Sequence, residues 1–224
     1  TPALVLDRPI MDANIRAMSE HLALYSKGFR PHAKTHKCPE IAKQQMAAGA
    51  VGICAAKVSE AAVMARAGID SILITSPIST RHKAQVVNAI VAEPLTLLLV
   101  VDSIEGLAAL QAEIDDDKRV GLLLDLDAST GRTGVRDNEL LLRLLDAMQN
   151  DARFYFAGVQ HYAGHVMHEP EFEKRRDKSM RAWERLADKF ALLEQRGMRP
   201  QIVTGGGTGT FDIDMTLEYL TDIQ

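Results

Sequence analysis

Leu95-Thr96-Leu97-Leu98-Leu99-Val100-Val101-Asp102-Ser103-Ile104-Glu105 decides the fold. Its first seven residues form a near-continuous apolar run without the alternation of a half-wetted strand, so they read as a strand covered on both faces. Asp102 with Glu105 resembles a capping box, and Ile104, Leu107, Leu110 and Ile114 give the helix that follows an apolar stripe. A covered strand leading directly into an amphipathic helix is one βα repeat.

The same repeat recurs on both sides. Upstream, Val51 to Ala56 and Ser71 to Thr75 are short apolar strands, followed by helices over Ser59 to Ala67 and Ser79 to Val91. Downstream, Val120 to Leu126 and Phe154 to Gln160 are strands. Helices follow them over Leu140 to Met148 and roughly Glu171 to Arg196, the second with Trp183, Leu186, Phe190 and Leu193 on one face. Gln201 to Thr204 is a strand entering a glycine-rich turn. At the front, Thr1 to Asp7 reads as a strand already under way, and Met11, Ile15, Met18 and Leu22 mark a helix. A basic strand at His32 to Lys34 and a helix from Pro39 to Ala48 come next.

Seven such repeats imply a parallel sheet covered by helices, either an open doubly wound sheet or a (β/α)8 barrel. The barrel is favoured by where the polar residues collect. Lys34, Lys57, Thr75, Ser76, Asp125, Asp127, Gln160 to Tyr162 and Thr204 to Thr208 all fall at or just past strand C-termini, the face where barrel sites form. The expectation is one barrel domain over residues 1–224, with the sequence ending at Gln224 before an eighth strand and before any further domain.

Composition narrows the class. The 224 residues are 46% hydrophobic and 25% charged, an ordinary globular balance, and the net charge of -4 argues against a nucleic-acid partner. Cys38 and Cys54 are too few for a disulfide framework, which makes a reducing cytoplasm the expectation. No apolar run approaches the ~20 residues of a bilayer span, and the start does not read as a signal peptide.

Two pieces carry chemistry. Thr204-Gly205-Gly206-Gly207-Thr208-Gly209 follows an apolar strand and lets backbone N–H groups converge on an anion. It has neither the Gly-Lys-Ser/Thr ending of a Walker A loop nor a dinucleotide fingerprint, and the bland reading is a tight turn. Arg30-Pro31-His32-Ala33-Lys34-Thr35-His36-Lys37 is the other. Pro31 favours extended backbone at Arg30, and alternation sends His32 and Lys34 to one face. A solvated basic turn is the bland alternative. A lysine and a phosphate cradle on one barrel face together point to pyridoxal phosphate, with Lys34 bonding the aldehyde. Such a lysine must lose its proton, which partial burial among Arg30, His32, His36 and Lys37 favours.

Arg132 lies in a glycine-bearing loop and suits a cofactor oxygen or a substrate carboxylate; pairing with Asp125 or Asp127 is the alternative. His161, His165 and His168 invite a metal reading, but Gly164 and the preceding strand argue for a loop. Tyr162 is placed to lie against a cofactor ring, and Cys54 reads as a small core residue.

These blocks, together with Thr1-Pro2-Ala3-Leu4-Val5-Leu6-Asp7, His36-Lys37-Cys38-Pro39-Glu40-Ile41-Ala42, Lys57-Val58-Ser59-Glu60-Ala61 and Gly131-Arg132, resemble the fold type III pyridoxal-phosphate enzymes. Within that group they look most like D-threonine aldolases and D-serine dehydratases, whose barrel is of the alanine racemase N-terminal kind. The resemblance implies Lys34 as the cofactor-bonding lysine, Arg132 facing the cofactor and Thr204 to Thr208 as phosphate loop. It also places Gln160 and Tyr162 at the ring, with Tyr162 as a second catalytic candidate. A homodimer, a C-terminal β-domain and a divalent metal (Mn, Mg or Zn) with ligands outside this chain are implied as well. The activity implied is metal-assisted retro-aldol cleavage of D-3-hydroxy amino acids to glycine and an aldehyde. Dehydration of D-serine or D-3-hydroxyaspartate, racemisation, and a non-catalytic pyridoxal-phosphate homeostasis role are the alternatives.

Overall fold

The apolar stretches form an eight-stranded, all-parallel sheet in this computed structural model, which describes residues 2–224. β1 is Gly28–Phe29, β2 Ile53–Ala55, β3 Ser71–Ile74, β4 Thr96–Val101, β5 Val120–Leu126, β6 Phe154–His161, β7 Ile202–Gly205 and β8 Asp222–Ile223. Their order is β1-β8-β7-β6-β5-β4-β3-β2. The two outer strands then meet, through bridges from Phe29 to Ala50 and from His32 to Cys54, and close the ring. Main-chain bonds from Val51 N to Phe29 O (2.8 Å), Ala33 N to Cys54 O (2.8 Å) and Cys54 N to Pro31 O (2.9 Å) hold that seam.

The helices are α1 (Arg8–Leu24), α2 (Pro39–Ala47), α3 (Val58–Arg66), α4 (Arg81–Val91), α5 (Ile104–Gln111), α6 (Asn138–Gln149), α7 (Phe172–Glu184), α8 (Ala187–Gln195) and a short α9 (Phe211–Asp214). Strand alternation divides the buried residues in two. Ile72, Ile74, Leu97, Leu99, Leu122 and Leu124 face the helices, whereas Cys54, Leu73, Leu98, Val100, Leu123 and Ala157 fill the barrel. Burial pushes the Cys54 thiol pKa up, as fits a core cysteine. Two residues beyond Leu73 and Leu123 the same inward direction carries Thr75 and Asp125, so the apolar interior gives way to a polar layer at the C-terminal end.

Several expectations need correction. The eighth strand is present: Asp222 and Ile223 pair with Gly28 and Phe29 on one side and with Thr204 and Gly205 on the other. It has no apolar run to announce it, and a buried ion pair between Arg30 and Asp222 helps fix it. Pro2 to Asp7 form no strand and are exposed, because no neighbouring strand among the described residues offers them hydrogen bonds; Thr1 lies outside the described residues. Asp7 instead caps α1, accepting from Ile10 N at 3.1 Å. At α5 the cap is Ser103, accepting from Gly106 N at 3.3 Å, while Asp102 accepts from Gly134 N at 3.1 Å. The long polar helix breaks at Arg185 and Leu186, where Leu186 N bonds Trp183 O in a tighter i−3 turn. The basic strand shrinks to a bridge at His32, since Ala33 to His36 turn back on themselves and Lys37 N bonds Ala33 O at 2.7 Å.

Candidate active site

The polar layer above the core is one hydrogen-bonded sheet of side chains. Gln160 Nε2 donates to Thr75 O (3.1 Å) and to Asp125 Oδ1 (2.9 Å). Gln160 Oε1 accepts from Gln224 Nε2 (3.1 Å), which also donates to Thr204 Oγ1 (3.3 Å). The ends of five strands are thereby tied together. Over this floor opens a cavity of about 390 Å³, bounded by Lys34, His32 and His36 on one side and by Gly206, Gly207 and Thr208 on another.

The histidines of the basic stretch hold the Lys34 turn. Lys34 N donates to His32 Nδ1 (3.3 Å), which leaves the proton on Nε2; that N–H donates to Thr75 Oγ1 (3.0 Å), whose hydroxyl donates to Ala55 O (3.3 Å). Burial first, then Lys34 and His36, lower the His32 pKa to about 3, so the ring stays neutral. His36 follows the same logic: Cys38 N donates to its Nδ1 at 3.0 Å, and burial lowers its pKa. Lys34 is exposed and directed into the cavity, rather than half-buried as a strand residue would be.

The glycine turn fits an anion. Gly206 has φ +70°, a left-handed conformation that suits glycine, and a Cβ on Gly205 would lie 2.0 Å from His161 O. Among the described residues, the N–H groups of Gly206, Gly207, Thr208 and Gly209 make no hydrogen bond within the chain. Asp214 supports the turn from below. Its carboxylate accepts from Ser179 Oγ (2.6 Å), Thr210 Oγ1 (2.5 Å) and Trp183 Nε1 (3.2 Å), and burial raises its pKa.

Tyr162 stands between two cations, with Lys34 Nζ at 5.6 Å and Arg132 Cζ at 5.7 Å from its ring centroid. Gly164 explains the ring's seat, since a Cβ there would reach Tyr162 Cε1 at 2.5 Å. The loop bearing Arg132 is wound on Asp127, whose Oδ1 accepts from Thr130 N (3.1 Å) and Gly131 N (3.3 Å) while Oδ2 pairs with Arg136 (3.0 Å). Of the two carboxylates considered for Arg132, Asp127 is taken by Arg136 and Asp125 accepts from Gln160, though Arg132 lies near enough to Asp125 to help lower its pKa; Arg132 itself lines the cavity.

Of the residues expected from the sequence, Lys34, Arg132, Gln160, Tyr162, Gly206, Gly207 and Thr208 line this cavity together. Thr204 and Gly205 are buried at the end of β7 and support its floor instead. Lys57 is exposed just before α3 and lines none of it. His161 is buried edge-on to Trp183, with Nδ1 donating to Leu126 O (3.1 Å), and His165 and His168 are exposed beyond it. Among the described residues no three His, Cys, Asp or Glu side chains are grouped to hold a metal ion. Asp214 and Gln224 carry no motif and were not expected from the sequence.

The alanine racemase N-terminal domain family matches residues 6–218. The chain belongs to this family. It is 36% identical over its whole length to a D-threonine aldolase of an Arthrobacter species, covering 59% of that protein. It is 30% identical to a 3-hydroxy-D-aspartate aldolase of Paracoccus denitrificans, again over its whole length and 58% of the relative. The crystal structure of a D-threonine aldolase from Filomicrobium marinum superposes with a TM-score of 0.93 at 33% identity, covering 100% of this chain and 61% of that one. The chain therefore spans about three fifths of the relatives it matches.

Proposed function

We propose that this chain is the pyridoxal-phosphate-binding barrel of a lyase that splits D-3-hydroxy amino acids into glycine and an aldehyde by retro-aldol cleavage. The observation that carries the reading is that Lys34 and the free N–H groups of the glycine turn share one cavity, whose lining also includes Tyr162 and Arg132. Lys34 would bond the cofactor's aldehyde carbon, Gly206 to Thr208 would hold its phosphate, and Gln160 and Tyr162 would border its ring. When bound, this cofactor supplies an electron sink for the pair released by the breaking Cα–Cβ bond.

The chain's own groups then have definite tasks. Arg132 brings a fixed positive charge to the ring's edge or to a substrate carboxylate. His32 and His36 both accept a main-chain N–H at Nδ1 and present only N–H donors at Nε2, so neither serves as a base there. Lys34 is the amine that lines this cavity and the one placed to bond the cofactor. The family resemblance adds a divalent metal held by ligands outside the described residues, and a homodimer. No helix among the described residues is long and apolar enough to cross a membrane.

The test is product analysis on the whole protein with D-threonine and a divalent metal. Glycine and acetaldehyde are expected, whereas 2-oxobutanoate would replace the aldolase with a dehydratase. Lys34→Ala should abolish the visible absorbance of the pyridoxal-phosphate-loaded protein. Undiminished absorbance in that variant, after dialysis, would remove Lys34 from its role.

A further inference from the structure

Asp125 is a carboxylate at the inner face of β5, only 4% exposed, and the tasks proposed for the site leave it unused. We propose that Asp125 is the positioning residue of this site: its carboxylate sets the orientation of the Gln160 amide, and through it the polar floor under the glycine turn.

An amide side chain is nearly symmetric in shape, so only its partners decide which end is oxygen. Gln160 Nε2 lies against two acceptors, Thr75 O and Asp125 Oδ1. Reversal would set Oε1 against both and would leave Gln224 Nε2, now bound to Gln160 Oε1, facing an NH₂ group. Thr75 O is a carbonyl and cannot donate. Ionised Asp125 cannot donate either, and so enforces the observed orientation; protonated Asp125 can donate, and the preference then rests on Thr75 O and Gln224 Nε2 without it. Gln224 Nε2 carries the orientation onward to Thr204 Oγ1, one residue before the turn.

The surroundings make this control adjustable. Asp125 Oδ2 is buried without a partner, and Asp125 is among the residues lining a second pocket of about 170 Å³, which shares Arg132, Gln160 and Tyr162 with the main cavity. The groups facing the carboxylate are Gln160 on β6, Thr133 and Arg132 in the loop after β5, Asp102 after β4, and His165 and Tyr162 across the small pocket. Burial, the largest influence, raises the Asp125 pKa to about 6, against the lowering by Gln160, Thr133 and Arg132. The change of state therefore falls within the working range of an ordinary enzyme.

This inference rests on the pyridoxal-phosphate reading only for its second readout. The first uses the whole protein without cofactor, labelled with ¹⁵N-glutamine. The side-chain NH₂ resonance of Gln160, identified by its absence in Gln160→Leu, should shift with an inflection near pH 6, and Asp125→Asn should remove that inflection. The second is titration with pyridoxal phosphate. Asp125→Asn, which keeps the shape and an acceptor, should bind about 10-fold more weakly at pH 7.5 and lose the pH dependence near 6, whereas Asp125→Leu should bind about 100-fold more weakly, the range expected for a charge-assisted bond. A Gln160 resonance indifferent to both pH and Asp125→Asn would overturn the proposal. So would Asn and Leu variants equally impaired with the wild-type pH profile. If the wild type binds no pyridoxal phosphate, the functional reading fails, and the resonance alone decides the role of Asp125.

Discussion

Gly205 and Gly207 lie two residues apart in one turn under different physical constraints, and substitution should separate them. A Cβ on Gly205 meets the backbone oxygen of His161 at 2.0 Å, and backbone in a sheet has little room to yield. On Gly207 it meets Met167 Cε at 3.2 Å and Sδ at 3.3 Å, the flexible end of a side chain. Gly205→Ala should therefore cost about 1–3 kcal/mol of unfolding free energy, the usual range for overpacking. Gly207→Ala should stay within about 0.5 kcal/mol of wild type. Urea unfolding compares them; equal losses would mean that the turn yields as one unit. Residues of this kind were legible in sequence as a glycine run, but not their division of labour. Which glycine faces backbone and which faces a side chain depends on His161 and Met167, some forty residues away in the chain.

At the scale of elements, legibility followed length. β4, β5 and β6 are six to eight residues long, mostly buried, and announce themselves by composition. β1 and β8 are two residues long and exist because their neighbours complete them. Pro2 to Leu6 show the converse, a strand-like composition with no strand to pair with among the described residues. The site divides the same way. Lys34 and the glycine turn stood out as local patterns, whereas the bonds from Asp125 to Gln160 and from Gln160 to Gln224 join residues 35 and 64 positions apart. For β1 and β8 the decisive feature is the Arg30–Asp222 pair, with side chains 6% and 4% exposed. Breaking a buried pair strands the remaining charge, so Arg30→Met should cost about 3–5 kcal/mol. Removing both charges, in Arg30→Met with Asp222→Leu, should cost clearly less than the two single changes added together. An additive result from a double-mutant cycle would show that the pair does not act as a unit.

For the whole molecule, buried titratable groups set how stability follows pH, and they pull in opposite directions. His161 is buried neutral, and burial lowers its pKa to about 4; His32 is lowered to about 3. Each contributes stability that is full above the unfolded histidine value of about 6.5 and is lost as pH falls below it, because the unfolded chain takes up the proton first. Asp125, raised to about 6, has the reverse sign: its contribution is full below the unfolded aspartate value of about 3.9 and is lost as pH rises through 6. Near pH 5 the two histidines outweigh the aspartate, and stability should climb with pH. His36, lowered, and Asp214, raised, repeat the opposition. The clean measurement is therefore a difference between variants. Asp125→Asn should steepen the climb near pH 5 by one proton's worth, about 1.4 kcal/mol per pH unit. His161→Phe, which keeps an aromatic ring against Trp183, should flatten it by about the same amount. Denaturant unfolding at pH 4.5, 5.0 and 5.5 reads both slopes. Parallel slopes in all three proteins would mean that neither buried group changes its proton affinity on folding, and the polar layer would then be wetter than its packing implies.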